Sequence, residues 1–189
     1  MTNPVLDLLS KRRSVKPDLL QAPPPSPAEI ETILTLAARV PDHKKLAPWR
    51  FIVFEGDARA RAGEIFAEAC QAEDQEPPSA KRLELERGRF LRSPLVIAVV
   101  SRVVDRPGAP EWEQVLSAGA SAFNLCVAAN ALGYGTCWIT EWIAYSPLVK
   151  TKLGLGAAER FAGFVYIGTP QNPAADRDRP ALADIMTRY

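Results

Sequence analysis

Six consecutive apolar residues, Leu95-Val96-Ile97-Ala98-Val99-Val100, decide the fold class of this chain. An apolar run of this length without a polar break is typical of a strand that is buried on both faces of a sheet. Such a strand needs a layer of helices on each side, because both of its faces must be removed from water. The stretch therefore predicts a sheet sandwiched between helices.

Helical patterns and a few further strands lie on either side of this run. Glu111 to Leu132 carries the longest helical pattern, and Gly133 after it is suited to a left-handed helix cap. Ser26-Pro27-Ala28-Glu29 is a capping box with proline at the first helical position, so a helix begins there and ends before Pro41. The other predicted elements are strands at 50–54, 134–140 and 161–167, and helices near 5–13, 57–71, 79–90, 147–153 and 182–187. We predict a single α+β domain over residues 1–189, with about four or five strands between helices.

The composition is that of a globular protein, and it excludes several classes of function. Hydrophobic residues make up 47% and charged residues 24% of the 189 residues. Lys and Arg number 23 against 22 Asp and Glu, and a net charge of +1 predicts neither a nucleic-acid nor a membrane partner. The most apolar stretch, 118–133, is interrupted by Ser121, Asn124 and Asn130 and predicts a buried helix rather than a membrane span. The charged segment 79–90, by contrast, predicts a helix that faces solvent.

The histidine and cysteine content limits the chemistry further. His43 is the single histidine, so a multi-histidine metal site is excluded and a Ser-His-Asp arrangement would have to use it. Cys70, Cys126 and Cys137 form no C-x-x-C pair, and we predict no metal site and buried, reduced thiols in a cytoplasmic protein. P-loop and nucleophile-elbow motifs are absent, and Gly154-Leu155-Gly156 lacks the third glycine of a dinucleotide fingerprint. If the protein is an enzyme, a bound cofactor supplies the chemistry, and no side chain is assigned a catalytic role.

Three segments could hold such a cofactor, and each also has a plainer structural explanation. Lys11-Arg12-Arg13-Ser14-Val15-Lys16 is either a cradle for a phosphate monoester or a solvated helix end whose cations offset the helix dipole. The segment 39–50 places His43 and its lysines between prolines, as a ligand clamp or as an ordinary proline-rich turn. The segment 133–142 offers glycines and backbone amides to a planar ring, or is a core strand with buried aromatics. The residues alone leave each pair of alternatives open.

At these segments the chain resembles the FMN-dependent nitroreductase family, specifically its short single-domain branch of NAD(P)H nitroreductases. The resemblance runs nearly end to end, and its most specific element is Pro-Asp-His-Lys. The motifs that carry it are Arg12-Arg13-Ser14, Pro41-Asp42-His43-Lys44 through Pro48-Trp49, Trp112-Glu113-Gln114 with Ser117-Ala118-Gly119, and Gly163-Phe164 through Gly168-Thr169-Pro170. The resemblance implies a mostly antiparallel sheet and an interlocked or domain-swapped homodimer with FMN at the subunit interface.

The resemblance also implies which residues bind the cofactor. The basic triplet would bind the FMN phosphate and ribityl chain, a lysine after it would reach toward the ring, and a strand end would lie along the isoalloxazine. Two residues around the Pro-Asp-His-Lys element fall on flavin-contacting positions, and two tail arginines would close over the phosphate. The basic triplet is Arg12, Arg13 and Ser14, the lysine after it is Lys16, and the strand end is Trp138, Ile139 and Thr140. The residues around the Pro-Asp-His-Lys element are Arg39 and His43, and the tail arginines are Arg177 and Arg179.

One departure from the family pattern lies beside His43. Lys45 and Ala47 stand where many relatives carry amide side chains that contact the pyrimidine edge of the flavin. A cation at Lys45 could still donate to a flavin carbonyl. It would also favour the reduced, anionic ring electrostatically.

The implied function is an FMN-dependent oxidoreductase. It would pass electrons from NAD(P)H to electron-poor acceptors such as nitroaromatics and quinones, in a two-step ping-pong hydride transfer. Two alternatives stay open: an oxygen-using or flavin-fragmenting enzyme of the same architecture, and a non-catalytic dimeric module that binds a phosphorylated ligand.

Overall fold

The central strand of the sheet is β3, Leu95–Arg102, which is buried along its whole length except at the last residue. The computed structural model describes residues 3–172 and 174–189. β3 pairs in antiparallel fashion with β2, Trp49–Glu55, on one side and with β5, Glu159–Pro170, on the other. The predicted strand with two buried faces is confirmed.

The long strand β5 organises the other half of the sheet. Its residues also pair with β4, Gly135–Ile139, and with the short β1, Leu20–Gln21, and both pairings are antiparallel. The register against β3 shifts because Val99 pairs with Gly163 and Val100 with Phe161, which leaves Ala162 as a β-bulge. Bulges of this kind re-aim neighbouring side chains and are common beside functional sites. The expectation of a mostly antiparallel sheet is confirmed.

Helices cover both faces of the sheet. α2, Pro27–Ala37, and α5, Glu111–Ala131, pack on one face, over a core that includes Ile33, Ile97 and Leu125. α3, Ala58–Glu73, and α6, Pro147–Lys152, pack on the other face, and α4, Ala80–Gly88, lies against α3. Two shorter helices are α1, Pro4–Lys11, and α7, Leu182–Ile185. The predicted helix–sheet–helix sandwich is confirmed.

Local sequence signals account for where several helices begin and end. Ser26 Oγ accepts from the Glu29 N–H at 3.4 Å, and Glu29 Oε2 accepts from the Ser26 N–H at 2.8 Å, so the capping box is formed. Gly133 ends α5 with φ of +92°, as predicted. The prediction of a solvent-facing helix over 79–90 is wrong at the end of that helix. α4 ends at Gly88, and a 3-10 turn, Arg89–Arg92, follows it. Phe90 in that turn is fully buried, because its ring meets four other aromatic rings edge-on.

Two further expectations concern thiols and membrane spans. The three cysteines are buried and unbridged, as the sequence predicts. Within residues 3–172 and 174–189, none of the helices has the length and apolar content needed to cross a membrane.

Candidate functional site

One carboxylate holds the loop between α2 and β2 in a strained conformation. Asp42 accepts hydrogen bonds from the backbone N–H of Leu46 at 3.0 Å and of Ala47 at 2.8 Å. Lys44, Lys45 and Ala47 have φ of 63°, 55° and 46°, a left-handed region that residues with a Cβ seldom adopt. Such strain persists only where the surroundings over-determine it, and it clusters at functional sites. The loop is therefore fixed by Asp42 as well as by the prolines that make it stiff.

Two contacts fasten this loop to the first half of α5. His43 Nδ1 lies 2.7 Å from Glu113 Oε2, and Ser117 Oγ donates to the carbonyl of Pro41 at 2.5 Å. The side chains of His43 and Glu113 are about half exposed, so the imidazole is accessible from outside. Both line an open cavity of about 310 Å³ on the surface of α5. Arg39, just before the loop, is exposed.

The two arginines of the basic triplet have different surroundings. The Arg12 guanidinium lies over the Phe123 ring, 5.6 Å from its centroid, and donates no hydrogen bond within the part of the chain that the structure describes. Arg13 donates through Nε to Asp176 Oδ1 at 2.6 Å, and its Nη2 also contacts that carboxylate. Its Nη1 donates to the carbonyls of Ser10 at 2.7 Å and Arg12 at 2.8 Å. Nearly all N–H groups of Arg13 are therefore in use, whereas those of Arg12 remain available.

The triplet lies against the beginning of β4. Ser14 forms an isolated parallel bridge with Thr136, and the Val15 N–H donates to the Thr136 carbonyl at 2.9 Å. Lys16, two residues after Ser14, is exposed. The segment 138–140 lies toward the other end of β4, about 7–13 Å from Thr136 along an extended strand. The structure thus brings the first and third candidate segments together along one strand.

The end of β4 is held by side-chain contacts on both faces of the sheet. Trp138, a residue that is 38% exposed, donates through Nε1 to the carbonyl of the bulged Ala162 at 3.1 Å. Gly163 permits this approach, because a Cβ there would lie 2.2 Å from Trp138 Nε1. Ile139 packs against the core on the opposite face, and Thr140 Oγ1 accepts from the Tyr145 hydroxyl at 3.4 Å.

The structure does not bring the second segment to this place within one chain. The triplet contacts α5 at Phe123, whereas the His43 loop contacts it at Ser117 and Glu113, about 9 Å and 15 Å further toward the start of the helix. The tail arginines are exposed, and the guanidinium of Arg179 donates to the carbonyl of Arg177 at 3.1 Å. Only the Arg13–Asp176 ion pair connects this part of the tail to the triplet, among the residues that the structure describes.

A buried charged network, which the sequence reasoning missed, lies directly behind Thr140. Glu141 has φ of +56° and accepts from Arg89 Nη1 at 2.6 Å and from Arg92 Nη2 at 2.8 Å. Arg89 also donates through Nε to the fully buried Glu86 at 2.5 Å, and Arg92 donates to the Tyr166 hydroxyl at 2.8 Å. The network holds the backbone after β4 in its unusual conformation and so fixes the end of the strand.

The opposite charges of this network offset the free-energy cost of burying them. Burial alone would raise the pKa of Glu86, but hydrogen bonds and positive charge from Arg89, with smaller contributions from Trp142 and Arg82, lower it instead. The pKa of Tyr166 is raised, first by burial and then by the charge of Glu141. A sequence signal was present, since the arginines at 82, 89 and 92 and the glutamate at 86 recur at helical spacing.

A small antiparallel sheet between two helical layers, with a basic triplet against a strand that ends in aromatic and hydroxyl residues, defines a nitroreductase-like class of α+β protein. The sequence model of the Nitroreductase family matches residues 9–169, and the chain belongs to that family. The resemblance expected from the motifs is confirmed.

Individual relatives are similar to the chain in sequence, and solved structures are similar to it in fold. The chain is 34% identical over 170 residues to "Putative NAD(P)H nitroreductase YdjA" of Escherichia coli strain K12, covering 90% of each sequence. Its fold matches the nitroreductase-like family protein from Bacillus cereus with a TM-score of 0.87, at 22% identity over 100% of this chain and 97% of the other. It also matches a mutant of the FMN and NADPH-dependent nitroreductase NfnB from a Sphigopyxis strain, with a TM-score of 0.76 at 18% identity over 97% and 98% of the two chains.

Proposed function

We propose that this protein is an FMN-dependent oxidoreductase, a single nitroreductase-like domain that passes electrons from NAD(P)H to electron-poor acceptors such as nitroaromatics and quinones. Membership of the nitroreductase family supports the proposal, as do the name of the E. coli relative and the cofactors named for NfnB. The observation that carries it is the attachment of Ser14 and Val15 to Thr136. That contact places a cationic segment at one end of β4 and Trp138–Thr140 at the other.

The residues along β4 fit a ligand with an anionic end and a flat end. Arg12 offers guanidinium N–H groups that no other described residue uses, and Ser14 and Lys16 are exposed beside it. These are the donor types that suit a phosphate monoester. About 7–13 Å along the strand from Thr136, the segment 138–140 presents the backbone and side chains that we assign to the isoalloxazine ring. Arg13 reaches the phosphate only by releasing Asp176, so we assign its main role to positioning the tail with Arg177 and Arg179.

We further propose that two copies of the chain complete each site. His43 contacts α5 about 15 Å along the helix from Phe123, over which Arg12 lies, so the partner subunit is the natural source of the His43 contact. α5 exposes an apolar stripe, with Trp112 68%, Leu116 53% and Phe123 43% accessible. Contiguous exposed apolar surface of this kind marks an interface. The exposed apolar residues of α1 and α7 extend the surface that an interlocked homodimer would bury; they are Val5, Leu6, Leu9, Leu182 and Ile185.

The protein's own contribution is binding and orientation. Bound FMN would supply the redox chemistry between NAD(P)H and the acceptor. The strained end of β4, fixed by Glu141 and its two arginines, keeps the segment 138–140 in one conformation. Lys45, exposed in the strained loop, is the cation that we assign to the pyrimidine edge of the ring. No side chain is assigned an obligatory proton transfer.

The visible absorbance spectrum of the freshly purified protein tests the proposal. We expect a flavin spectrum that NADPH bleaches without oxygen and that a quinone then restores. A colourless protein that takes up no added FMN would contradict the proposal and would favour the non-catalytic module. Turnover that requires oxygen, or that degrades the flavin, would instead indicate the oxygen-using or flavin-fragmenting alternative.

A further inference from the structure

The carboxylate of Glu113 contacts the imidazole ring of His43, and the proposed function gives Glu113 no part. His43 Nδ1 lies 2.7 Å from Glu113 Oε2, which is hydrogen-bond distance. Glu113 lies in the first turn of α5, and His43 lies in the strained loop before β2. Both side chains are about half exposed, and both line the open cavity of about 310 Å³ on α5. A group bound at this surface can therefore reach the ring.

Other contacts hold the backbone of that loop in place. Asp42 accepts from two backbone N–H groups of the loop, and Ser117 Oγ donates to the carbonyl that precedes Asp42. At the far end of the loop, Arg102 Nε donates to a backbone carbonyl at 2.9 Å. Within the described part of the chain, Glu113 contacts the ring of His43 and not the loop backbone. Loss of its carboxylate would therefore leave the loop in position and act on the ring alone.

The chemistry of the two groups decides which ring nitrogen carries the hydrogen. An ionised carboxylate only accepts hydrogen bonds, so Nδ1 of His43 must be the donor in this pair. A neutral imidazole has one N–H, and the bond made by one ring nitrogen sets the role of the other. Nε2 of the neutral ring is then an acceptor, and among residues 3–172 and 174–189 no group donates to it. It can accept a hydrogen bond from a group outside the chain.

We infer that Glu113 is a positioning residue: it fixes the hydrogen of His43 on Nδ1, and Nε2 thereby accepts a hydrogen bond from the N3–H of FMN. The inference rests on the proposed function and adds a role for Glu113 to it. The oxidised isoalloxazine ring carries one N–H, which lies at N3 between the two carbonyl groups of the pyrimidine edge. Lys45, which we assign to that edge as a donor, lies two residues after His43 in the same loop. A cationic donor and an imidazole acceptor match neighbouring carbonyl and N–H groups.

Nitrogen NMR of the flavin-free protein, made with isotope-labelled histidine, tests the position of the hydrogen. His43 is the single histidine of the chain, so a protein without a histidine tag gives one pair of ring nitrogen signals. At alkaline pH, where the chemical shifts show a neutral ring, we expect the hydrogen on Nδ1. Glu113→Ala should move it toward Nε2, whereas Glu113→Gln, whose amide oxygen still accepts, should restore the wild-type pattern. Glu111→Ala is the matched control, because it removes a carboxylate of the same helical turn that does not contact His43.

Fluorescence titration with FMN and with 3-methyl-FMN, which lacks the N3–H, tests the contact with the flavin. We expect Glu113→Ala to weaken FMN binding about three- to tenfold, as for the loss of one neutral hydrogen bond. The same substitution should leave the affinity for 3-methyl-FMN unchanged. Glu113→Gln should restore the wild-type affinity for FMN, and Glu111→Ala should bind both flavins like the wild type. Circular dichroism confirms that each variant is folded before it is titrated.

Several results would overturn the inference. One is a neutral wild-type ring with its hydrogen on Nε2, and another is a Glu113→Gln protein that behaves like Glu113→Ala. Equal loss of affinity for FMN and 3-methyl-FMN in Glu113→Ala would also overturn it, because Glu113 would then act on something other than the N3–H. A wild-type protein that binds no FMN would contradict the proposed function and the flavin contact with it. The ring measurement needs no flavin, so a failure of the Glu113 assignment is distinguishable from a failure of the proposed function.

Discussion

The different surroundings of Arg12 and Arg13 lead to a prediction that a double-mutant cycle can test. If Arg12 holds the phosphate of FMN directly, Arg12→Ala removes a charge-assisted hydrogen bond. If Arg13 acts mainly through Asp176, then Arg13→Ala, Asp176→Ala and the double variant should all weaken FMN binding to the same small extent. The two effects would be non-additive because they report the loss of one contact.

The contacts set the expected sizes of these effects. A hydrogen bond to a charged group contributes about 1.5–3 kcal/mol, so Arg12→Ala should weaken FMN binding by about one to two orders of magnitude. Asp176 is 74% exposed, and water competes for its carboxylate, so loss of the Arg13–Asp176 pair should change FMN affinity only a few fold. Asp178→Ala is the matched control, because it removes a tail carboxylate that contacts neither arginine of the triplet.

Fluorescence titration of the flavin-free protein with FMN, at one fixed ionic strength, measures all of these affinities. Two results together would refute this assignment. Arg13→Ala would have to weaken FMN binding as much as Arg12→Ala does, and it would have to weaken binding by the same factor when Asp176 is already alanine. That result would make Arg13 a direct phosphate ligand. Unchanged FMN affinity in Arg12→Ala and Arg13→Ala alike would show that the phosphate binds elsewhere.

Two further predictions concern stability. Gly63→Ala should destabilise the fold by about 1–3 kcal/mol in urea unfolding, since its Cβ would lie 2.1 Å from the Arg87 carbonyl oxygen of α4, whereas Gly88→Ala, with nothing within 4 Å, should be neutral or stabilising. Glu159 has its pKa lowered from 4.5 to about 2, first by its hydrogen bonds from Arg50. Its contribution to folding is therefore present above about pH 4.5 and is lost as the pH falls toward 2, so the unfolding free energy of Glu159→Gln should fall less over that range than that of the wild type. Equal slopes for the two proteins would show that the ion pair adds nothing to stability.

The elements with strong local signals could be predicted from the sequence. β3 was predictable because an uninterrupted apolar run leaves few alternatives to a doubly buried strand. The start of α2 and the end of α5 follow from Ser26, Glu29 and Gly133, whose side chains or backbone freedom act on neighbours in the chain. In segments of this kind the local sequence alone indicates the element that forms. The helix–sheet–helix sandwich could therefore be expected without knowledge of tertiary contacts.

The site depends instead on contacts between residues far apart in sequence. Arg13 and Asp176 are 163 positions apart, and neither segment has a sequence pattern that predicts their pairing. Charge in the segment 79–90 predicts exposure, yet Glu86 is buried because arginines and an indole surround it. The left-handed backbone at Lys44 and Lys45 was equally unforeseeable, since lysine has no preference for that region and Asp42 imposes it.

The attachment of Ser14 to Thr136 has a consequence for how the protein behaves at high concentration. β4 has β5 on one side, and on the other side its backbone groups would be open to any passing strand. The Ser14–Val15 segment occupies part of that margin, and the positively charged residues Arg12 and Lys16 flank it in the chain. Like charges on two such margins repel, so the sheet resists joining another molecule edge to edge.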